Sequence, residues 1–241
     1  IVAILFSILF YPNNGVPGVD HHAWSLGIIS LFLFYAGLET KKFRYIFFSI
    51  LTIFFSFFVK QVPSSYILTL MTLLYIFQSY HEKKIVHFFK IILTILFLLV
   101  LIIFLMKKNE IDLSLVFQQY FLMLIDFGGE RIDKINLNLI KENISKIFFL
   151  FFLIFPAIIL LWEKKQIVFN EKKIFLLIFF LILISIIYEI HTNNQAITFA
   201  LIPIICGLIY LVQSSIKKNI FLNYVYKTII FLCILKMIQY N

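Results

Sequence analysis

Long apolar runs, broken at short intervals by clusters of Lys, Glu, Asn and His, organise this chain. In order they are 24–38, 45–59, 65–79, 91–106, 147–162, 174–190, 196–213 and 220–238. Several are shorter than the ~20 residues of a full bilayer crossing. Flanking Tyr, Trp and Lys extend them by keeping their polar tips at the boundary, so each run is read as a span. Residues 1–10 continue the pattern from a chain start that is not Met, with no basic region before them and no small-residue cleavage site after them. They are expected to be the tail of a helix that starts upstream, making the sequence a fragment and not one led by a signal peptide. The expected fold is all-α: a polytopic transmembrane bundle of about eight or nine spans forming a single transmembrane domain over 1–241.

Local signals refine the picture. Residues 60–64 join two spans as a tight helical hairpin, with Pro63 expected at its turn. The connection 107–146 is the long one. Its part 113–125 is too apolar for a soluble loop, and 132–147 places Ile132, Ile135, Leu139 and Ile147 near helical spacing. Both parts are expected to lie in the interface as helices, hinged by Gly128 and Gly129.

Composition agrees with the pattern. Of 241 residues, 62% are hydrophobic, 31 are Phe and only 14% are charged; the mean hydropathy is +1.01. A soluble domain of this size has too little interior to hide that much apolar surface, so a lipid-covered protein is expected. Cys206 and Cys233 lie inside apolar runs and suggest no disulfide framework. The net charge of +9 falls in short clusters between spans, which speaks for topology and against a nucleic-acid partner. Connections 39–44, 81–90, 163–173 and 214–227 carry three, three, four and three Lys or Arg; 11–23, 60–64 and 191–195 together carry only Lys60. The basic set is therefore expected on the cytoplasmic side, and 107–146 on the extracytoplasmic side.

This orientation gathers the chemically distinctive clusters on the outer face. Asp20, His21 and His22 follow a Pro/Gly-rich turn; they suit a divalent metal or a phosphate, or a plain solvated helix start capped by Asp20. Lys60 and Gln61 stand at a span end with no acid nearby in sequence, as a snorkelling Lys or as a cation aimed at a lipid-linked phosphate. Glu130 and Arg131 follow the double glycine, where Arg131 either clamps a phosphate or pairs with Glu130 or Asp133. Glu189, His191, Asn194 and Gln195 put more polarity into a short connection than a turn needs, and such groups suit sugar hydroxyls. Helix interiors, by contrast, carry few polar residues. No nucleotide-binding loop, zinc-spaced Cys/His set or nucleophile elbow is present in the sequence.

The stretch Gly18-Val19-Asp20-His21-His22-Ala23-Trp24 resembles an acidic loop motif of oligosaccharyltransferase relatives. Phe54 to Pro63, with Lys60-Gln61 at a helix end, and the polar turn from Glu189 into the helix containing Pro203 are similar to segments of the same superfamily, the polytopic GT-C glycosyltransferases. The resemblance covers 12–80 and 186–212. It implies an inverting enzyme of the cell envelope that moves a sugar from a polyisoprenyl-phosphate donor to a glycan, lipid or protein acceptor. It places Lys60, Gln61, Glu130, Arg131, Glu189, His191, Asn194 and Gln195 in substrate binding, and Asp20, His21 and His22 at a divalent metal (Mg or Mn). The general base of that family lies in a first outer loop, which here is expected upstream of Ile1. The implied location is a bacterial inner (plasma) membrane, with membrane lipids as partners and the polar sites facing out. A polymerase or ligase of lipid-linked glycans, and a polyisoprenoid-lipid transporter, are the rival readings.

Overall fold

A computed structural model of the chain describes residues 19–83, 85, 87–123, 141, 169–192, 195–214, 224, 227, 228 and 231. The helices are α1 (Val19–Thr40), α2 (Phe43–Val59), α3 (Gln61–Glu82), α4 (Phe88–Lys108), α5 (Leu113–Phe117), α6 (Phe169–Thr192) and α7 (Gln195–Ser214), with a π-helical turn Gln118–Leu122 after α5. Among the described residues there is no strand. The expected runs 24–38, 45–59, 65–79, 91–106, 174–190 and 196–213 each fall inside one helix. The run 147–162, the segment 1–10 and most of 220–238 lie outside the described residues. By length and composition, three of the helices could cross a membrane (α1, α3 and α4), while α2 is a shorter apolar helix.

Two compact units divide the chain: His22–Asn136, and Ile1–His21 with Leu137–Asn241. In the first, α1, α2 and α3 are stitched together by small and hydroxylated residues. Along α1, Ala23, Ser30 and Gly37 recur every seven residues and so share one seam. At Ala23, the carbonyl accepts a hydrogen bond from Ser56 Oγ of α2 at 2.7 Å. At Ser30, Oγ donates to Ser49 O at 2.8 Å while Ser49 Oγ returns a bond to Ser30 O at 2.8 Å. At Gly37, a Cβ would lie 2.5 Å from Ile46 Cγ1 of α2. From the same helix, Gly27 faces Ile67 of α3, and Ser30 Oγ reaches Met71 Sδ at 3.4 Å. Close backbone approach with hydroxyl bonds across it is how helices associate where water-driven burial is weak. Other hydroxyls are satisfied within their own helix, as in Thr52 to Phe48 O, Thr72 to Leu68 O and Thr94 to Lys90 O. This lets polar side chains sit in apolar surroundings at small cost.

The α2–α3 connection is tighter than the sequence implies. Lys60 alone lies outside helix, in extended conformation (φ −161°, ψ 129°). Pro63 is not at the turn but inside the first turn of α3, where backbone N–H groups have no intrahelical partner and a missing one costs nothing. Helix α4 starts beside α2, with His87 and Phe43 rings 5.5 Å apart. It then runs to the other end, where Tyr120 meets Phe58 at 6.0 Å. Its flank is mostly exposed, with only Thr94 and Leu98 buried, as expected of a lipid-facing helix.

In the second unit α6 and α7 pack along one another. Leu177, Leu181, Ser185 and Tyr188 are buried at helical spacing on α6, and Leu201, Ile205, Leu208 and Ile209 on α7. Lys173, assigned by sequence to a basic connection, is instead a buried residue of α6 (1% exposed).

Candidate functional site

Asp20, His21 and His22 lie in the first turn of α1, not in a loop before it. A helix turns ~100° per residue, so three consecutive side chains fan apart. His21 is 5% exposed, whereas His22 is exposed and Asp20 half-buried. Asp20 also suits its place electrostatically, since an acid in the first turn complements the positive end of the helix dipole.

Tyr188, near the end of α6, donates its hydroxyl to Asp20 Oδ2 at 3.0 Å. The phenol is fully buried (0% exposed). A buried O–H that ends on a carboxylate fixes that carboxylate's orientation, and such charge-assisted bonds are about twice as strong as neutral ones. Sequence alone does not single out Tyr188, because a Tyr near a span end passes for an interfacial anchor. The usable signal is its place directly before Glu189, at the end of the run 174–190 and next to a polar connection.

Lys60 is held by its backbone. Its N–H donates to Ser56 O at 3.0 Å, and its carbonyl accepts from Ser64 Oγ at 2.7 Å. Ser56 and Ser64 hydroxyls meet at 2.6 Å, and Ser56 also bonds Ala23 O. The start of α1 and the Lys60 turn are thus joined through three short contacts, at one end of the His22–Asn136 unit. Lys60 and Gln61 are half-buried. Within that unit, the stretch of α1 at Ala23 and the turn at Lys60 therefore share an end.

Of the other candidates, Glu130, Arg131 and Asn194 lie outside the described residues, as do the side chains of Glu189, His191 and Gln195. In backbone terms Glu189 and His191 belong to the last turns of α6, and Gln195 opens α7. Among the described residues no three His, Cys, Asp or Glu side chains converge as metal ligands. Mg²⁺ commonly binds through one or two carboxylates plus substrate phosphates. Asp20 suits an ion of that kind better than a preformed all-protein site.

No protein-family model, curated protein or solved structure matches this chain.

Proposed function

We propose that the chain is part of an integral-membrane glycosyltransferase working at the outer ends of its helices on a lipid-phosphate-linked sugar. The observation that carries this reading is the bond from buried Tyr188 to half-buried Asp20. An oriented carboxylate at a helix end is more than packing requires, and carboxylates bind sugar hydroxyls and take their protons. Lys60 supplies the cation that a donor phosphate needs.

In the proposed reaction an acceptor hydroxyl attacks the anomeric carbon as the bond from that carbon to the phosphate oxygen breaks. The phosphate leaves with the electron pair and stays on its lipid, its charge compensated by Lys60. The hydroxyl proton passes to a carboxylate. Asp20 would hold a divalent ion that accompanies the donor, and such an ion would compensate the negative charge of the leaving phosphate. The polar clusters face the extracytoplasmic side in this reading, following the Lys/Arg bias of the connections. The described hydroxyls of Ser30, Ser49, Ser56 and Ser64 are engaged in helix packing, which favours a transferase over a transporter with a polar path through the spans.

The test is sugar transfer from a polyisoprenyl-phosphate donor in membranes containing the full chain, at matched protein levels. Asp20→Asn keeps the shape and removes the charge, and is expected to lower the rate at least tenfold, on the order of a lost ligand to an ion or a sugar hydroxyl. Tyr188→Phe is expected to lower it about tenfold, through loss of orientation alone. Wild-type transfer by Asp20→Asn would overturn the assignment.

A further inference from the structure

The opposite end of the His22–Asn136 unit, where α1 passes to α2 and α3 to α4, carries Lys41, Lys42, Arg44, Lys83 and Lys90, all exposed. Two acids stand among them. Glu82 pairs with Lys41 (Nζ to Oε2, 3.1 Å) and also accepts from the Gln78 amide. Glu39 accepts a hydrogen bond from the Tyr35 hydroxyl. The remaining cations keep their charge toward the surroundings, and two of them are seated on aromatic rings. The Arg44 guanidinium lies 4.9 Å from the centre of the Tyr45 ring and donates to its hydroxyl at 3.2 Å. The Lys90 ammonium stands 5.5 Å from the centre of the Phe43 ring. Ring contact limits the wandering of long side chains, so these charges are held in place before any ligand arrives.

Beside each seated cation, about one helical turn along, is an exposed apolar residue: Phe48 (52% exposed) after Arg44, and Leu93 (69%) after Lys90. A soluble anion has no use for that neighbour. An amphiphile does, because its anionic head meets the cation while its chain covers the apolar side chain. We propose that Arg44 and Lys90, aided by Lys42, bind the phosphate groups of anionic phospholipids whose acyl chains lie against Phe48 and Leu93. The proposal rests on the chain's being embedded in a bilayer and is independent of the transferase reading. Arg44 offers a planar fork for phosphate oxygens, and Lys90 and Lys42 act as point charges.

The experiment reconstitutes the full chain in bilayers of phosphatidylcholine containing spin-labelled phosphatidylglycerol or spin-labelled phosphatidylcholine. It reads the motionally restricted fraction of each label. The wild type is expected to prefer the anionic lipid, less so as salt rises. Each of Arg44→Gln and Lys90→Gln is expected to lower that preference about fivefold, and the pair with Lys42→Gln at least tenfold. The double change Lys41→Gln with Glu82→Gln removes a neutral pair at the same end and is expected to leave the preference unchanged. Equal preference in the wild type and the triple variant would overturn the proposal. So would displacement of the lipid by millimolar inorganic phosphate at constant ionic strength, which marks a site for soluble anions.

Discussion

Gly37 is the tightest point of the α1–α2 seam, and Gly37→Ala tests whether that seam sets stability. The added Cβ would sit 2.5 Å from Ile46 Cγ1 and 3.1 Å from the Ile46 backbone nitrogen, where carbon atoms ordinarily rest ~3.5–4.0 Å apart. Ile46 is fully buried, and its Cγ1 is not a mobile chain end, so the helices must part. Overpacking of this kind costs about 1–3 kcal/mol, and exchanging Gly for Ala inside a helix returns up to ~1 kcal/mol. The net expectation is a loss of about 1–2 kcal/mol. Gly27→Ala is the matched control. The three heavy atoms nearest its Cβ all belong to the Ile67 side chain, at 3.1 Å and beyond, and that side chain yields by a few tenths of an ångström. The helix-propensity gain then leaves that variant at or above wild-type stability. Thermal unfolding of the purified chain in detergent should rank Gly37→Ala below wild type and Gly27→Ala at or above it. In an Ile46→Ala background the Gly37 penalty should fall, because the Cγ1 it struck is gone and only the milder 3.1 Å approach to the backbone nitrogen remains. Equal Tm values for the two alanine variants, or an undiminished penalty beside Ala at position 46, would refute the seam as drawn.

Two further expectations concern the end of the His22–Asn136 unit that carries Lys60. Lys60→Ala should reduce sugar transfer roughly ten- to a hundredfold, the equivalent of a charge-assisted phosphate contact of about 1.5–3 kcal/mol, and Lys60→Arg should keep part of the rate; a normal rate in the Ala variant would leave Lys60 as an interfacial anchor. The Asp112 carboxyl caps α5 by accepting the Ser114 N–H at 2.8 Å, which holds its pKa below the ordinary carboxylate range. A depressed pKa stabilises above the unfolded value and is lost as pH falls through the folded one. Amide exchange at Ser114 should therefore show no change in protection between about pH 5 and 8 and weaken only under strong acid; loss of protection near neutral pH would contradict the cap.

The helices were legible because unbroken apolar runs leave few alternatives, and six of the eight expected runs each fall within one described helix. Pairwise packing was less so. The seven-residue spacing of Ala23, Ser30 and Gly37 is visible in the sequence, but which helix it meets depends on the hairpin at Lys60. The apolar pattern implies a five-residue turn there, and in the structure only Lys60 lies outside helix. Pro63 misled because proline marks both turns and first helical turns. Of the site, Asp20 and Lys60 stood out as polar residues at span ends. Tyr188 did not, since its bond joins residues 168 positions apart and nothing local announces it. His21 and His22 looked alike in sequence, yet one is buried and the other exposed, because a helix sends neighbours to different sides.

These helices are expected to cross a bilayer and to set their polar and basic ends on opposite sides. Single cysteines in a chain whose Cys206 and Cys233 have been replaced test this most directly. Exposed Lys42 and Lys83 mark the basic end, and half-buried Gln61 with exposed Asn109 mark the other. An impermeant thiol reagent added to intact cells should label cysteines at 61 and 109, and should reach 42 and 83 only after the membrane is opened. Labelling of all four from outside would mean that the helices do not separate two compartments; labelling of 42 and 83 alone would reverse the working face.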